Sequence, residues 1–276
     1  MGYTITDVAG IGHTNSPSDG VAQGTWEVST VQKGRIGARR MLSDGRVYYY
    51  GYFRGVCAAG KVAAVDASTA VCAEAAATAV VNSSGGAKDY ASSDSVTRLY
   101  LKDSDTFTAA NSDNVFAGGY LCDHTDGHTY KIRANDYTAS TSIMRLDLYD
   151  AIRTNIDSEH EVSVTGHPYN NLTIANNGTD DMIAGVAAVA ATAGSFVWVQ
   201  TWGVCGVLCD AATTVAAGSI AVLSDDDNGG VQILGGMTIN SEDDVALSLA
   251  TEPIVGYFIS AGTDTKFVPV FLQIAP

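Results

Sequence analysis

Apolar residues along this chain recur mainly at alternate positions, in short runs closed by Gly, Asn, Asp and Ser, the signature of strands separated by tight turns. Residues 34–54 predict a hairpin, with Arg39–Leu42 and Val47–Phe53 flanking an Asp44-Gly45 turn. Further strands are expected at 96–102, 119–122, 128–133, 142–149, 161–165 and 171–175. In the fourth of these, Met144, Leu146 and Leu148 share one face. Beyond a turn at Asn176-Asn177-Gly178, the pattern continues at 182–189, 196–200, 206–209, 219–223, 230–234, 254–259 and 267–274. The run VWVQTWGVCGVLCD, 197–210, is uncharged until its last residue and predicts a buried strand that turns or kinks at Gly203 and Gly206 and then re-enters a sheet. Only 56–82, rich in Ala and Val, is ambiguous between helix and strand.

The expected fold is therefore mainly β, with antiparallel strands. Its parts are an N-terminal arm and hairpin (1–55), a central β-rich domain (56–177) and a C-terminal β-sandwich or small barrel (178–276). Val197, Val199, Val207, Ile254, Val255, Val268, Val270 and Leu272 are the expected core of the last part. No helix of βαβ length is marked, which argues against a parallel nucleotide-binding sheet.

Charge changes the picture more than composition does. Residues 1–54 carry six basic against four acidic side chains, while 154–276 carry Lys266 alone against fourteen acids. A net charge of −15 disfavours direct nucleic-acid binding, and the basic cluster Arg35, Arg39, Arg40 and Arg46 is the candidate attachment surface for an acidic protein partner. Five cysteines without a CxxC pair argue against a disulfide framework. No membrane span or secretory signal is expected, and Met1–Thr6 matches the short myristoylation pattern without a second anchoring signal.

Several stretches imitate chemistry. GVCAAGKV, 55–62, approaches a phosphate-binding loop, but Val62 stands where the Mg²⁺-binding hydroxyl is needed. Cys122–His128 gathers two histidines and two aspartates around a hairpin-type Asp126-Gly127, which predicts a solvated turn with diverging imidazoles. Asp225–Gly229 lacks the spacing of a calcium loop, and the acid pairs Glu159/Glu161 and Asp243/Asp244 read as solvated surface. The Arg/Tyr mixture of 33–54 could stack on single strands, but tyrosines in strands are mostly structural. No catalytic residues, cofactor or metal ligands are assigned, and the expectation is a non-enzymatic protein.

The stretches GRIGARRMLSDGRVYYY (34–50), GHTYKI (127–132), RLDLYD (145–150), HPYNNLTIANN (167–177), VWVQTWGVCGVL (197–208), EPIVGYF (252–258) and KFVPVFLQI (266–274) together resemble structural proteins of tailed bacteriophages. The resemblance covers most of the chain from residue 34. It departs at Val204, where such proteins often have Pro, and at Cys209. It implies a virion structural protein, in particular a head decoration (cement) protein on the outer capsid surface, made in the host cytoplasm. The implied partners are the major capsid protein and further copies of the chain, a trimer where such proteins occupy threefold positions. A receptor- or glycan-binding β module of the same particle is the alternative. That role needs an exposed aromatic platform, for which Trp26, Trp198 and Trp202 are the only indoles.

Overall fold

The computed structural model describes residues 21–65, 79–102, 114–157, 160–176, 182–210, 215–234 and 252–276. The expectations on Met1–Thr6, Cys72, Glu159, Asp243 and Asp244 lie outside them. Among the described residues the structure is strands and turns with one short 3-10 turn at Ser92–Asp94, and no helix is long and apolar enough to cross a membrane.

The chain forms two compact units, residues 1–66 with 172–276, and residues 67–171. The expected divisions at 55/56 and 177/178 give way to this one because pairing is non-local. The hairpin strand that was to belong to a separate arm lies against a strand some 150 residues later.

The first unit contains β1 (Arg39–Met41), β2 (Val47–Phe53), β3 (Val62–Val65), β10 (Leu172–Ile174), β11 (Ile183–Ala187), β12 (Ser195–Cys209), β13 (Ile220–Leu223), β14 (Val231–Ile233), β15 (Ile254–Phe258) and β16 (Lys266–Gln273). Two closed five-stranded rings share β12: β2-β10-β3-β11-β12 and β12-β14-β13-β15-β16. The long strand serves both because it is bent. A register shift lies between Gln200 and Trp202, and Gly203 sits at φ 86° with Arg46 against its backbone, a conformation and a closeness that suit glycine alone.

The two rings repeat one design. Each has a single parallel contact, Leu172 with Phe53 in the first and Val231 with Cys209 in the second, and all its other pairings are antiparallel. Each has a bulge against a glycine of its fourth strand, Gly185 or Gly256. Isolated bridges join Cys57 to Ala191 and Val215 to Gly262. Three residues after each bridge residue the chain turns left-handed, at Gly60, Gly194, Gly218 and Thr265, and a strand begins. The sequence carries the repeat: CAAGKVAAV (57–65) aligns with VAAGSIAVL (215–223), and FVWV (196–199) with FVPV (267–270). The rings differ most at one connection. Val65 and Leu172 are paired across the whole second unit, whereas the equivalent Leu223 and Val231 are joined by seven residues.

The second unit is one antiparallel sheet, ordered β4 (Ala79–Val81), β5 (Arg98–Lys102), β8 (Ile143–Leu148), β7 (Thr129–Thr138), β6 (Tyr120–Asp123) and β9 (Val162–Thr165). Alternation buries Leu99, Leu101, Ile132, Met144, Leu146 and Leu148 in a core closed by Phe116, Ile152 and Ile156. The segment 56–82, ambiguous by its pattern, contributes strands at both of its ends, β3 and β4. In the first unit every expected core residue is buried except Ile254, which is 60% exposed because it faces outward at the start of β15.

Candidate functional site

The four arginines do not form one surface. Arg40 is 3% exposed. Its guanidinium lies 4.0 Å over the Trp198 ring, and it donates to Gln23 O (3.0 Å), Thr25 Oγ1 (3.1 Å) and Val21 O (3.2 Å). Trp198 Nε1 also donates to Gln23 O, and Tyr50 donates to Gln23 Oε1 at 2.7 Å. The segment 21–27 is thereby pinned across β2 and β12, and Arg40 is a core residue rather than a surface contact. Its charge is held by carbonyl dipoles and a ring face, a use for which the weakly hydrated guanidinium is suited. Arg46 pairs with Asp44 at 2.7 Å and donates to the Tyr48 hydroxyl. Arg39 is exposed and donates to Pro276 O, and Arg35 is exposed. Strand alternation explains the split, since Arg39 and Arg40 must face opposite ways.

The stacking surface considered for 33–54 is largely interior. Tyr48, Tyr50 and Phe53 are fully buried. Burial raises the Tyr48 phenol above its ordinary pKa, and its hydroxyl is hydrogen-bonded to Gln200 Oε1.

The stretch 55–62 does not present a phosphate cradle. The amides a phosphate loop would offer are spent on protein carbonyls: Cys57 N on Ala191 O, Gly60 N on Ala187 O and Val62 N on Gly229 O. Lys61 Nζ donates to Asn228 O. Burial pushes the Cys57 and Cys205 thiols up to about 12, so neither is a ready nucleophile. Asp225–Asn228 is an exposed turn, capped by Asp210 and Ser224 through the Asp227 amide.

An apolar row crosses the outside of the second ring. Cross-strand register aligns Ile220 with Tyr257, Tyr257 with Phe271, and Phe271 with Val204. Tyr257 and Phe271 stack at 5.2 Å, and Trp202 meets Phe271 edge-on. Val204 is 49% and Ile220 43% exposed, so the row faces solvent. Strand alternation over four strands hinted at it, but the register that lines these residues up is a tertiary fact.

In the second unit, Cys122–His128 forms the hairpin turn between β6 and β7. His124 goes to Ser163 Oγ (2.9 Å) and His128 stacks on Tyr130, so the two imidazoles serve different neighbours. His160 is the histidine that completes a cluster here. Its Nδ1 is 2.9 Å from Asp157 Oδ1 and its Nε2 3.7 Å from Asp126 Oδ2. One donor atom each from Asp123, Asp126 and His160 lie within 4.8 Å of one another. Burial works against a charged His160 ring, but Asp157, Asp123 and Asp126 outweigh it and raise its pKa. His160 lies outside the 122–128 stretch, and only the pairing of β6 with β9 brings it in.

No known protein family, curated protein or solved structure matches the chain.

Proposed function

We propose that this protein is a non-enzymatic virion component of a tailed bacteriophage that decorates and stabilises the capsid, bound to the major capsid protein and to further copies of itself. The observation that carries the reading is the exposed Ile220–Tyr257–Phe271–Val204 row on a closed double ring. Contiguous apolar side chains on a closed β surface suit burial against another protein, with aromatic residues at the centre of the contact. The acidic surface suits solubility at the concentrations a shell assembly requires. Attachment through charge then rests on the exposed Arg35 and Arg39, with Arg46 at the edge and Arg40 withdrawn into the core.

Co-sedimentation with capsid shells stripped of this protein tests the reading. Val204→Asp with Ile220→Asp is expected to abolish occupancy while circular dichroism stays that of the wild type, and Arg35→Glu with Arg39→Glu to weaken it. Wild-type protein that fails to sediment with the shells overturns the proposal. The alternative role, a receptor- or glycan-binding module of the particle, is favoured by the Trp202–Phe271–Tyr257 aromatic group rather than by Trp198, which is buried. Saturable binding on a glycan array, lost in Tyr257→Ala, supports that alternative.

A further inference from the structure

In the second unit, the antiparallel register of β6 and β9 places Asp123 opposite Val162, and therefore sets His160 beside the turn that carries Asp126. The two segments are stitched together, His124 N donating to Glu161 O at 2.8 Å and Glu161 N to Thr125 Oγ1 at 3.3 Å. Asp123 is fully buried, and its two oxygens have different fates. Oδ1 accepts the amides of Thr125 and Asp126 and so shapes the turn. Oδ2 is buried with no hydrogen-bond partner. A carboxylate oxygen shut away from water and left unpaired is costly, and a cation is the natural way to compensate it.

From this geometry we infer that Asp123, Asp126 and His160 bind a divalent transition-metal ion of the zinc class. His160 Nε2 and one oxygen from each aspartate are the protein ligands, and water takes the fourth position. An imidazole with two carboxylates matches zinc-type coordination better than calcium, which takes six to eight oxygens. Asp157 stands behind His160 Nδ1, the arrangement that leaves Nε2 to the metal and fixes the ring's orientation; it is a positioning residue. Metal–ligand bonds of about 2.0–2.2 Å require the donor atoms to draw in from their present spread. The exposed turn that carries Asp126 can supply that movement. The ion would clamp the β6–β7 turn to the segment entering β9. The inference is independent of the capsid proposal, since it uses residues of the second unit alone.

The test is calorimetric titration of the full-length, chelator-stripped protein with ZnCl₂, alongside Co²⁺ as a visible-absorption probe of tetrahedral geometry. The expected result is one saturable Zn²⁺ per chain, a melting temperature that rises with Zn²⁺ concentration, and Co²⁺ bands of the tetrahedral type. Asp126→Asn and His160→Gln should each weaken binding at least tenfold while keeping the wild-type circular dichroism. Asp157→Asn should weaken it about 10–100-fold, as loss of an outer partner does. His124→Ala, which removes a neighbouring imidazole bonded to Ser163, should leave affinity unchanged. Absence of saturable Zn²⁺ binding overturns the inference. So does binding that survives the Asp126→Asn, His160→Gln double substitution.

Discussion

Seven residues after its bridge residue, each ring places an outward-facing side chain on its last strand: Trp198 in the first ring and Pro269 in the second. Trp198 is fully buried under Arg40 and the 21–27 segment, while Pro269 is half-buried, near the Tyr257–Phe271 stack and the exposed Phe267. The pairings are the same and the covering is not. Closure of such a ring depends on a few backbone conditions, namely the left-handed turn, the bulge glycine and the parallel contact. What lies on its outer face is free to become an internal packing surface or an external contact surface. The first ring uses that freedom to dock a segment of its own chain, and the second leaves an apolar row in water.

The largest expected effect comes from deleting what distinguishes the rings. Trp198→Ala should destabilise the first unit by about 3–5 kcal/mol, and Pro269→Ala by less than about 1 kcal/mol, both measured by denaturant unfolding. Equal losses would mean that the 21–27 segment contributes nothing to the covering. Arg40→Met comes next. It leaves the Gln23 and Val21 carbonyls without their charged donor and should cost about 1.5–3 kcal/mol, with hydrogen exchange of residues 21–27 accelerated; Arg39→Met should change neither.

A third test probes what the rings share. A Cβ on Gly256 would stand 2.0 Å from Phe271 O, and one on Gly185 2.7 Å from Gln200 O. Gly256→Ala and Gly185→Ala should therefore both destabilise, by about 1–3 kcal/mol each. Loss at one site only would break the equivalence of the bulges. A smaller effect is expected from replacing 66–171 with the seven-residue turn 224–230, since Val65 and Leu172 are paired as Leu223 and Val231 are. The first unit should still unfold cooperatively, with loop closure alone changing its stability by no more than about 2 kcal/mol, roughly four halvings of loop length at about 0.6 kcal/mol each.

The smallest effect is a pH dependence of the covering segment. A hydrogen bond from Lys33 holds the Glu27 carboxyl below its ordinary pKa. A carboxyl depressed in the folded state stabilises above its unfolded pKa, and that contribution disappears as pH falls through the folded value. Both side chains are exposed, so Glu27→Gln should cost no more than about 1 kcal/mol at pH 7 and nothing measurable at pH 2, by melts at the two pH values.

Most of the strands were legible because alternation and turn chemistry are local. Asp44-Gly45, the Met144/Leu146/Leu148 face and the terminal runs needed no knowledge of partners. The run 197–210 was legible as a buried strand that turns or kinks at its glycines, and the structure makes it one continuous strand with a bulge beside Gly203 rather than two strands joined by a turn. The repeat was also present in the sequence, in CAAGKVAAV against VAAGSIAVL, but a hundred-residue insertion in one copy hides a period that depends on distance along the chain. The arginines misled for a physical reason: charge clustering along a strand says nothing about which face each residue takes. Arg39 and Arg40 differ by one position and lie on opposite sides.

The sequence by itself determined that this is a mainly β protein with antiparallel strands, few charges and an acidic surface, because hydrophobic period and turn residues act over a few positions. The tertiary structure decided which strands close into rings and that Arg40 belongs to the core. It also decided that His160 joins Asp123 and Asp126, and that four apolar residues line up on one outer face. Each of these rests on register between segments tens to hundreds of residues apart, and a register shift of one residue would turn every such side chain to the other face.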